Sequence, residues 1–202
     1  MASTEPAKVE PKGGRERVLE AAYPLFSTSG IRAVGVDRIV ASAGVAKMTL
    51  YRHFPSKDAL ALAFLEDREQ RWTLGWLQAE VQRRAEDPAE RLLTIFEVFG
   101  EWFSRDDFEG CSFVNVLLEI AIRDDAVRQA SVRHLANIRA FLSGLAAEAG
   151  IEDPDAFARQ WHILMKGSIV AAGEGDRAAA ARARELGELL LAHHGALPAQ
   201  KA

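Results

Sequence analysis

The apolar residues of this 202-residue chain recur at helical spacing along almost its whole length. Leu92, Phe96, Phe99 and Phe103, for example, follow one another at intervals of three or four residues, which places them on one face of a helix. Strand-like alternation is almost absent, and no tandem repeat has a period typical of solenoids. The pattern predicts an all-α protein of about nine helices.

Glycine and proline residues divide this pattern into segments. Gly30 is suited to end a first helix, and Gly44 to form a tight turn after a short second helix. A third helix is predicted from about Lys47 to His53, ending near Pro55. Ser56 can cap a long fourth helix that runs to about Arg84. Five more helices follow.

The domain organisation follows from these segments. Residues 1–14 mix charge, Pro and Gly without the apolar stretch of a signal peptide, and are expected to form a disordered lead-in. Residues 15–60 form a first domain, 61–194 a larger helical domain, and 195–202 a flexible tail. The single cysteine, Cys111, cannot form an internal disulfide, which fits the cytoplasm, and no apolar run is long enough to span a membrane.

Charge is distributed unevenly between these parts. The net charge is −4, yet the first 60 residues hold nine Lys and Arg against six Asp and Glu. A basic first segment on an acidic body is expected if only that segment meets phosphates, although the excess is small.

Two short helices joined by a glycine turn can form a helix-turn-helix, whose second helix can enter the major groove of DNA. Leu50 and Phe54 are four residues apart and would dock this helix on Ile39 and Phe26. The other faces then carry charged and hydrogen-bonding side chains suited to phosphates and base edges. From periodicity alone, a solvated face on a short surface helix is an equally good interpretation.

The stretch RERVLEAAYPLFSTSGIRAVGVDRIVASAGVAKMTLYRHFPSKDAL, residues 15–60, resembles the DNA-binding domain of the TetR (tetracycline repressor) family of bacterial transcription regulators. The resemblance rests on Ala-Ala-x-x-Leu-Phe, Ala-Gly-Val, Thr-Leu-Tyr, His-Phe and Ser-Lys at fixed spacings. Val34-Gly35 and Ala46 stand where the family often has hydroxyl caps, and Met48 replaces a small residue. Base preferences of the family should therefore not be transferred to this chain.

The resemblance implies a set of DNA-binding residues on the second to fourth helices. They are Arg38, Lys47, Met48, Thr49, Tyr51, Arg52, His53 and Lys57. For Arg38 and His53, a surface charge or a packed ring is an equally good interpretation. The implied partner is a palindromic double-stranded DNA operator, bound by a homodimer because each half-site takes one recognition helix.

The larger domain is expected to bind a small molecule and to dimerise. Its aromatic residues, with a polar neighbour, predict a largely apolar effector pocket formed by Trp72, Trp76, Phe99, Trp102, Phe113 and Asn115. The resemblance places the dimer interface on the last two long helices, with Trp161, Leu164, Ser168, Ala172, Leu186 and Leu190. The alternative for both sets is ordinary helical core.

An enzyme is the rival class, but the chain lacks the motifs of phosphate loops, nucleophile elbows and metalloproteases. None of the five histidines stands at a spacing diagnostic of zinc, so neither a metal nor a cofactor is predicted. The expected function is a ligand-responsive transcriptional regulator, with repression as the default. The alternative is a helical small-molecule-binding protein without specific DNA activity.

Overall fold

The computed structural model describes residues 13–197, so most of the predicted lead-in and tail lie outside the described residues. Within that range the chain is helical, without a strand. The helices are α1 (Gly14–Ser29), α2 (Val36–Ala43), α3 (Lys47–His53), α4 (Lys57–Arg68), a π-helical segment (Glu69–Gln78), α5 (Ala79–Arg84), α6 (Pro88–Phe103), α7 (Ser112–Glu119), α8 (Ala126–Glu148), α9 (Pro154–Gly173) and α10 (Ala179–His193). The predicted all-α class is confirmed.

One uninterrupted helical stretch runs from the start of α4 to the end of α5, as predicted, so residues 13–197 contain nine continuous helices. Ser56 caps it, since the Ala59 amide donates to Ser56 Oγ at 3.0 Å. The sequence did not predict the π-helical segment. In this segment, a Cβ atom added to Gly75 would lie 2.7 Å from the carbonyl oxygen of Gln70. The wider π-helical turn therefore favours glycine at this position.

The chain forms two compact units, and the boundary between them falls between Phe64 and Leu65. In the first unit, α1, α2 and α3 pack around a small core that includes Phe26, Ile39 and Leu50. Phe64 closes this core, because its ring contacts Tyr23 and Phe26 edge to face, with centroids 5.3 and 5.5 Å away.

The turn between α2 and α3 depends on Gly44 and on a cation from α1. Gly44 adopts the left-handed conformation, with φ 60° and ψ 38°. The Arg17 guanidinium donates to the carbonyl oxygens of Ala43 and Gly44 at 2.9 and 2.7 Å. Gly35 and Ala46, the N-caps of α2 and α3, provide no side-chain cap, as their sequence predicts. The cation therefore satisfies carbonyls at the end of α2.

The second unit is built on α6, which packs on α10 and α8, while α9 packs between α8 and α10. Trp161 of α9 is fully buried, and its ring lies 5.3 Å from the rings of both Phe96 and Phe157. Gly187 of α10 lets these helices approach closely, because a Cβ there would meet Trp161 at 2.7 Å. Helices α6, α8 and α9 each begin with a capping aspartate.

Within residues 13–197, no helix combines the length and the apolarity that are needed to cross a membrane.

The substitution Gly187→Ala should destabilise the protein by about 1–3 kcal/mol, because the added methyl group collides with two aromatic rings that cannot move freely. Gly144→Ala is the matched control. Gly144 is exposed on α8 with nothing within 4 Å of its Cβ position, so this substitution should stabilise by about 0.5–1 kcal/mol. Urea unfolding followed by circular dichroism measures both. If both substitutions changed the free energy of unfolding equally, the contact between α9 and α10 would tolerate a side chain in place of Gly187.

Candidate nucleic-acid interface and effector cavity

Helix α3 has one buried face and one exposed face. Leu50 is fully buried and Phe54, which follows the helix, is 3% exposed, so these two residues hold the helix against the core of the first unit. Met48 and Tyr51 are 75% and 43% exposed. Arg52 is exposed beside them. A short helix with large, cationic and hydrogen-bonding side chains on its outer face is suited to contact DNA.

Lys47, at the first turn of α3, has a partner within the unit. Its ammonium donates to Asp37 Oδ1 at 2.9 Å, and both side chains are largely exposed. The hydrogen bond and charge of Asp37 raise the pKa of Lys47 above its usual value. Lys47 is therefore protonated throughout the neutral range, but a phosphate must compete with Asp37 for its charge.

Thr49 and His53 lie against the start of α1. A Cβ on Gly14 would be 2.9 Å from the γ-methyl of Thr49 and 3.2 Å from Nε2 of His53. Thr49 is consequently only half exposed, whereas His53 remains exposed. Gly14, which the sequence assigned to the disordered lead-in, instead begins α1 and allows this close approach.

Lys57 contacts the segment that precedes α2. Its ammonium donates to the carbonyl oxygens of Arg32 and Val34, both at 3.2 Å. An ammonium has three donors, so one further donor can reach a phosphate. Arg38 of α2 is exposed. All eight predicted DNA-binding residues thus belong to the first unit, and four of them have internal contacts that sequence alone did not indicate.

The aromatic residues predicted for the effector site pack against other rings. Trp72 packs on Trp76, Phe99 and Trp102, with ring centroids 5.5, 6.0 and 4.8 Å away. Phe113 instead stacks on His134 at 5.0 Å. Phe99, Trp102 and Phe113 are buried, as the core alternative predicts, whereas Trp72 and Trp76 are half-buried. Their contact with an effector stays a prediction.

A cavity of about 350 Å³ lies nearby, and of the six predicted residues it includes Asn115. Its lining comprises Phe108, Glu109, Gly110, Cys111, Val114, Asn115, Leu118, Lys166, Ile169, Val170, Ala172 and Gly173. Asn115 Nδ2 donates to the Glu109 carbonyl oxygen at 3.4 Å. Burial raises the pKa of the Cys111 thiol, so this side chain is a small apolar group rather than a thiolate.

The cavity adjoins the aromatic residues through Phe108. The ring of Phe108 lies 4.9 Å from Trp102, which in turn contacts Trp72 of the π-helical segment. A molecule that contacts Phe108 in the cavity would thus be separated from Trp102 by the Phe108 ring.

The residues predicted for dimerisation divide into two groups. Trp161 and Ser168 are buried inside the unit, and Ser168 Oγ donates to the Met165 carbonyl oxygen at 2.9 Å. The structure corrects the prediction for these two residues, which are core. Leu186 is 51% exposed, while Leu164, Ala172 and Leu190 are half-buried.

Sequence reasoning missed two exposed apolar residues of α9. Ile163 and Val170 are 64% and 53% exposed, and Leu189 of α10, which the sequence suggested as part of the interface, is 68% exposed. Together with Leu186 they are called the apolar face of α9 and α10. Their helical spacing is visible in the sequence. Periodicity alone, however, did not separate this stripe from the buried stripe that contains Trp161.

Sequence reasoning also missed a buried polar pair in the second unit. Glu69, at the start of the π-helical segment, lies against His134 of α8, with Glu69 Oε2 2.8 Å from His134 Nδ1. The two residues are distant in sequence, so no local motif could have joined them.

Two family descriptions match the chain. "Bacterial regulatory proteins, tetR family" matches residues 18–64, and "Tetracyclin repressor-like, C-terminal domain" matches residues 88–186. Among solved structures, the TetR-family transcriptional regulator SCO4454 of Streptomyces coelicolor superposes with a TM-score of 0.80 at 27% identity. That superposition covers 90% of this chain and 95% of SCO4454.

Curated relatives include the HTH-type transcriptional regulator LmrA of Bacillus subtilis, 28% identical over 118 residues, and the HTH-type transcriptional activator FasR of Mycolicibacterium smegmatis, 37% identical over 92 residues. The matches cover 57% and 46% of this chain, but only 62% of LmrA and 41% of FasR. The first family description coincides with the unit that carries α3, and the second with the unit that carries the cavity. The chain belongs to the TetR family of bacterial regulatory proteins.

Proposed function

We propose that the protein is a transcriptional regulator that binds a palindromic DNA operator as a homodimer and is released by a small, largely apolar molecule. The observation that carries the proposal is the division of α3 into buried anchors, Leu50 and Phe54, and an exposed face with Tyr51 and Arg52. The named relatives are transcriptional regulators, so we assign the protein no enzymatic role. Because a bacterial regulator must reach DNA, we assign it a cytoplasmic location.

The DNA-binding face in this proposal consists of Met48 and Tyr51 for base or sugar contacts and of Arg52 for a phosphate contact. Lys47, Lys57, Arg38 and His53 contact phosphates on either side, while Thr49 contributes at most an edge contact because it leans on Gly14. Selection of retained genomic fragments by the purified protein tests the proposal. Failure to retain any specific fragment would favour a small-molecule-binding protein without specific DNA activity.

The apolar face of α9 and α10 is the dimer interface in this proposal. Four large apolar side chains, Ile163, Val170, Leu186 and Leu189, are exposed together with the half-buried Leu164 and Leu190. Contiguous exposed apolar residues of this kind usually mark an interaction surface. A twofold pairing through this face would present one α3 to each half-site.

The effector site in this proposal is the cavity beside Asn115 rather than the tryptophan cluster. Its volume of about 350 Å³ lies within the range of small-molecule sites, and its lining is mostly apolar with Glu109, Asn115 and Lys166 as polar groups. The contact from Phe108 to Trp102 and then to Trp72 links it to the helical stretch that begins at Lys57. An effector that favours one arrangement of that stretch would release the operator, which makes repression the default.

The substitutions Tyr51→Ala and Arg52→Ala should each weaken operator binding at least tenfold without changing helicity, because both side chains face outward from α3. Arg52→Ala should also make the slope of log K against log salt less negative by about one per lost phosphate contact. Fluorescence anisotropy over a salt series measures both effects. Arg83→Ala, an exposed arginine of the second unit, is the control and should bind like wild type. Unchanged affinity in the two α3 variants would exclude this face.

The substitution Asp37→Asn should tighten DNA binding, because it frees Lys47 from a carboxylate 2.9 Å away. The control Asp58→Asn removes the same charge from the exposed first turn of α4 and should have a smaller effect. In a Lys47→Gln background, Asp37→Asn should gain little, and this double-mutant cycle isolates the pair. If Asp37→Asn increased DNA affinity equally in the Lys47→Gln background, Asp37 would act only by repelling the DNA and not through Lys47.

The substitution Leu189→Glu should convert the protein to monomers and reduce binding to the full operator, because it places a charge in the apolar face. Sedimentation velocity measures the oligomeric state. Val132→Glu, at an exposed apolar residue of α8 outside this face, is the control and should leave the dimer intact. A dimeric Leu189→Glu variant would place the interface elsewhere.

A further inference from the structure

Three potential metal ligands converge in the second unit, away from the effector cavity. Oxygen atoms of Glu66 and Glu69 and a ring nitrogen of His134 all lie within 4.8 Å of one another. Glu66 and Glu69 are three residues apart and therefore share a helical face. His134 reaches them from α8, and the three residues were not associated in the sequence because helix packing alone brings them together.

The contact between Glu69 and His134 is close but is not a hydrogen bond. Glu69 Oε2 lies 2.8 Å from His134 Nδ1, and both side chains are nine-tenths buried. Nδ1 is shielded from solvent and yet has no hydrogen-bond partner of acceptable geometry. A buried polar atom of this kind needs an explanation, because an unsatisfied nitrogen costs free energy in the folded state.

The surrounding residues hold the two buried ligands in place. Asn137, on the same face of α8 as His134, donates to Glu69 Oε1 at 2.9 Å. Phe113 stacks on the His134 ring with an interplanar angle of 23°. Partners that orient the ligands in this way are typical of metal centres.

Two arginines on the same helical stretch have partners outside the cluster. Arg71 pairs with Asp67 at 2.8 Å, and Arg68 lies 3.5 Å from Glu109 and stacks over Trp72. Within the cluster, two carboxylates and one imidazole face each other, and a cation is a group that would balance their charge.

We propose that Glu66, Glu69 and His134 form a binding site for a divalent first-row transition-metal ion, with Zn²⁺ as the preferred species. Imidazole and carboxylate suit such ions, and Zn²⁺ takes nitrogen and oxygen ligands at about 2.0–2.2 Å. Ligand atoms around one tetrahedral ion are consequently roughly 3–4 Å apart, which requires small movements here. Glu66 is exposed, and its Oε1 accepts from Gln70 Nε2 at 3.3 Å, so an ion would take the place of this surface hydrogen bond. Three protein ligands leave a fourth position for water or another small ligand.

The test is equilibrium dialysis of the metal-stripped full-length protein against Zn²⁺, with bound zinc measured by mass spectrometry. One equivalent per chain is expected. Co²⁺ replaces Zn²⁺ as a spectroscopic probe, since low-symmetry four-coordinate Co²⁺ gives intense visible absorption that octahedral Co²⁺ lacks.

Glu66→Gln is the decisive variant, because this exposed side chain can be changed without disturbing the core. It should weaken Zn²⁺ binding at least about tenfold, the scale seen when even an outer-shell partner of a metal site is removed. His134→Gln should abolish the visible Co²⁺ spectrum, and its thermal unfolding is measured in parallel to detect loss of fold. His193→Gln, at an exposed histidine of α10, is the matched control and should retain one equivalent.

Absence of stoichiometric Zn²⁺ binding to the wild-type protein would overturn the proposal. Unchanged affinity in Glu66→Gln would also overturn it, because Glu66 would then not be a ligand. So would loss of the ion in His193→Gln alone, which would assign the zinc to a surface histidine. DNA retention does not depend on these outcomes, because Glu66, Glu69 and His134 lie outside the proposed DNA-binding face.

Discussion

The burial of Leu50 and Phe54 is the interaction on which the DNA-binding unit depends. Helix α3 has seven residues, and an isolated helix of that length is not stable in water. Its N-cap, Ala46, has no side chain that could accept a hydrogen bond from the first-turn amides, so capping does not compensate. The two apolar anchors must therefore hold α3 against α1 and α2. The orientation of every exposed side chain on α3 follows from that attachment.

Two cations that the sequence predicts to bind DNA, and a third that it does not, have partners within the unit itself. Lys47 pairs with Asp37, and Lys57 donates to two carbonyl oxygens ahead of α2. Arg17, which was not predicted to have a role, donates to the carbonyl oxygens at the end of α2. DNA binding must therefore be viewed as a competition, in which phosphates replace or share partners that the folded protein already supplies.

The second unit combines a tightly packed interior with polar groups at its margins. Trp161 packs between Phe96 and Phe157, and Gly187 permits that packing. The cavity beside Asn115 is lined in part by α7, and the cluster around His134 contacts the same helix through the stacking of His134 on Phe113. A unit whose core is filled by aromatic rings can accept a small ligand at such margins without opening the core.

The sequence by itself determined the all-α class, the long helical stretch from Lys57 to Arg84 and the exposed outer face of α3, because each of these follows from local periodicity, capping and turn residues. Only the tertiary structure decided which of two apolar stripes on α9 faces inward, since both have the same spacing and burial depends on the neighbouring helices. It also decided that Trp72 packs on Trp102 and Phe113 on His134, while Asn115 lines the cavity. The approach of Glu69 to His134 was beyond local reasoning for the same reason, because helix packing brings together residues that no sequence interval relates.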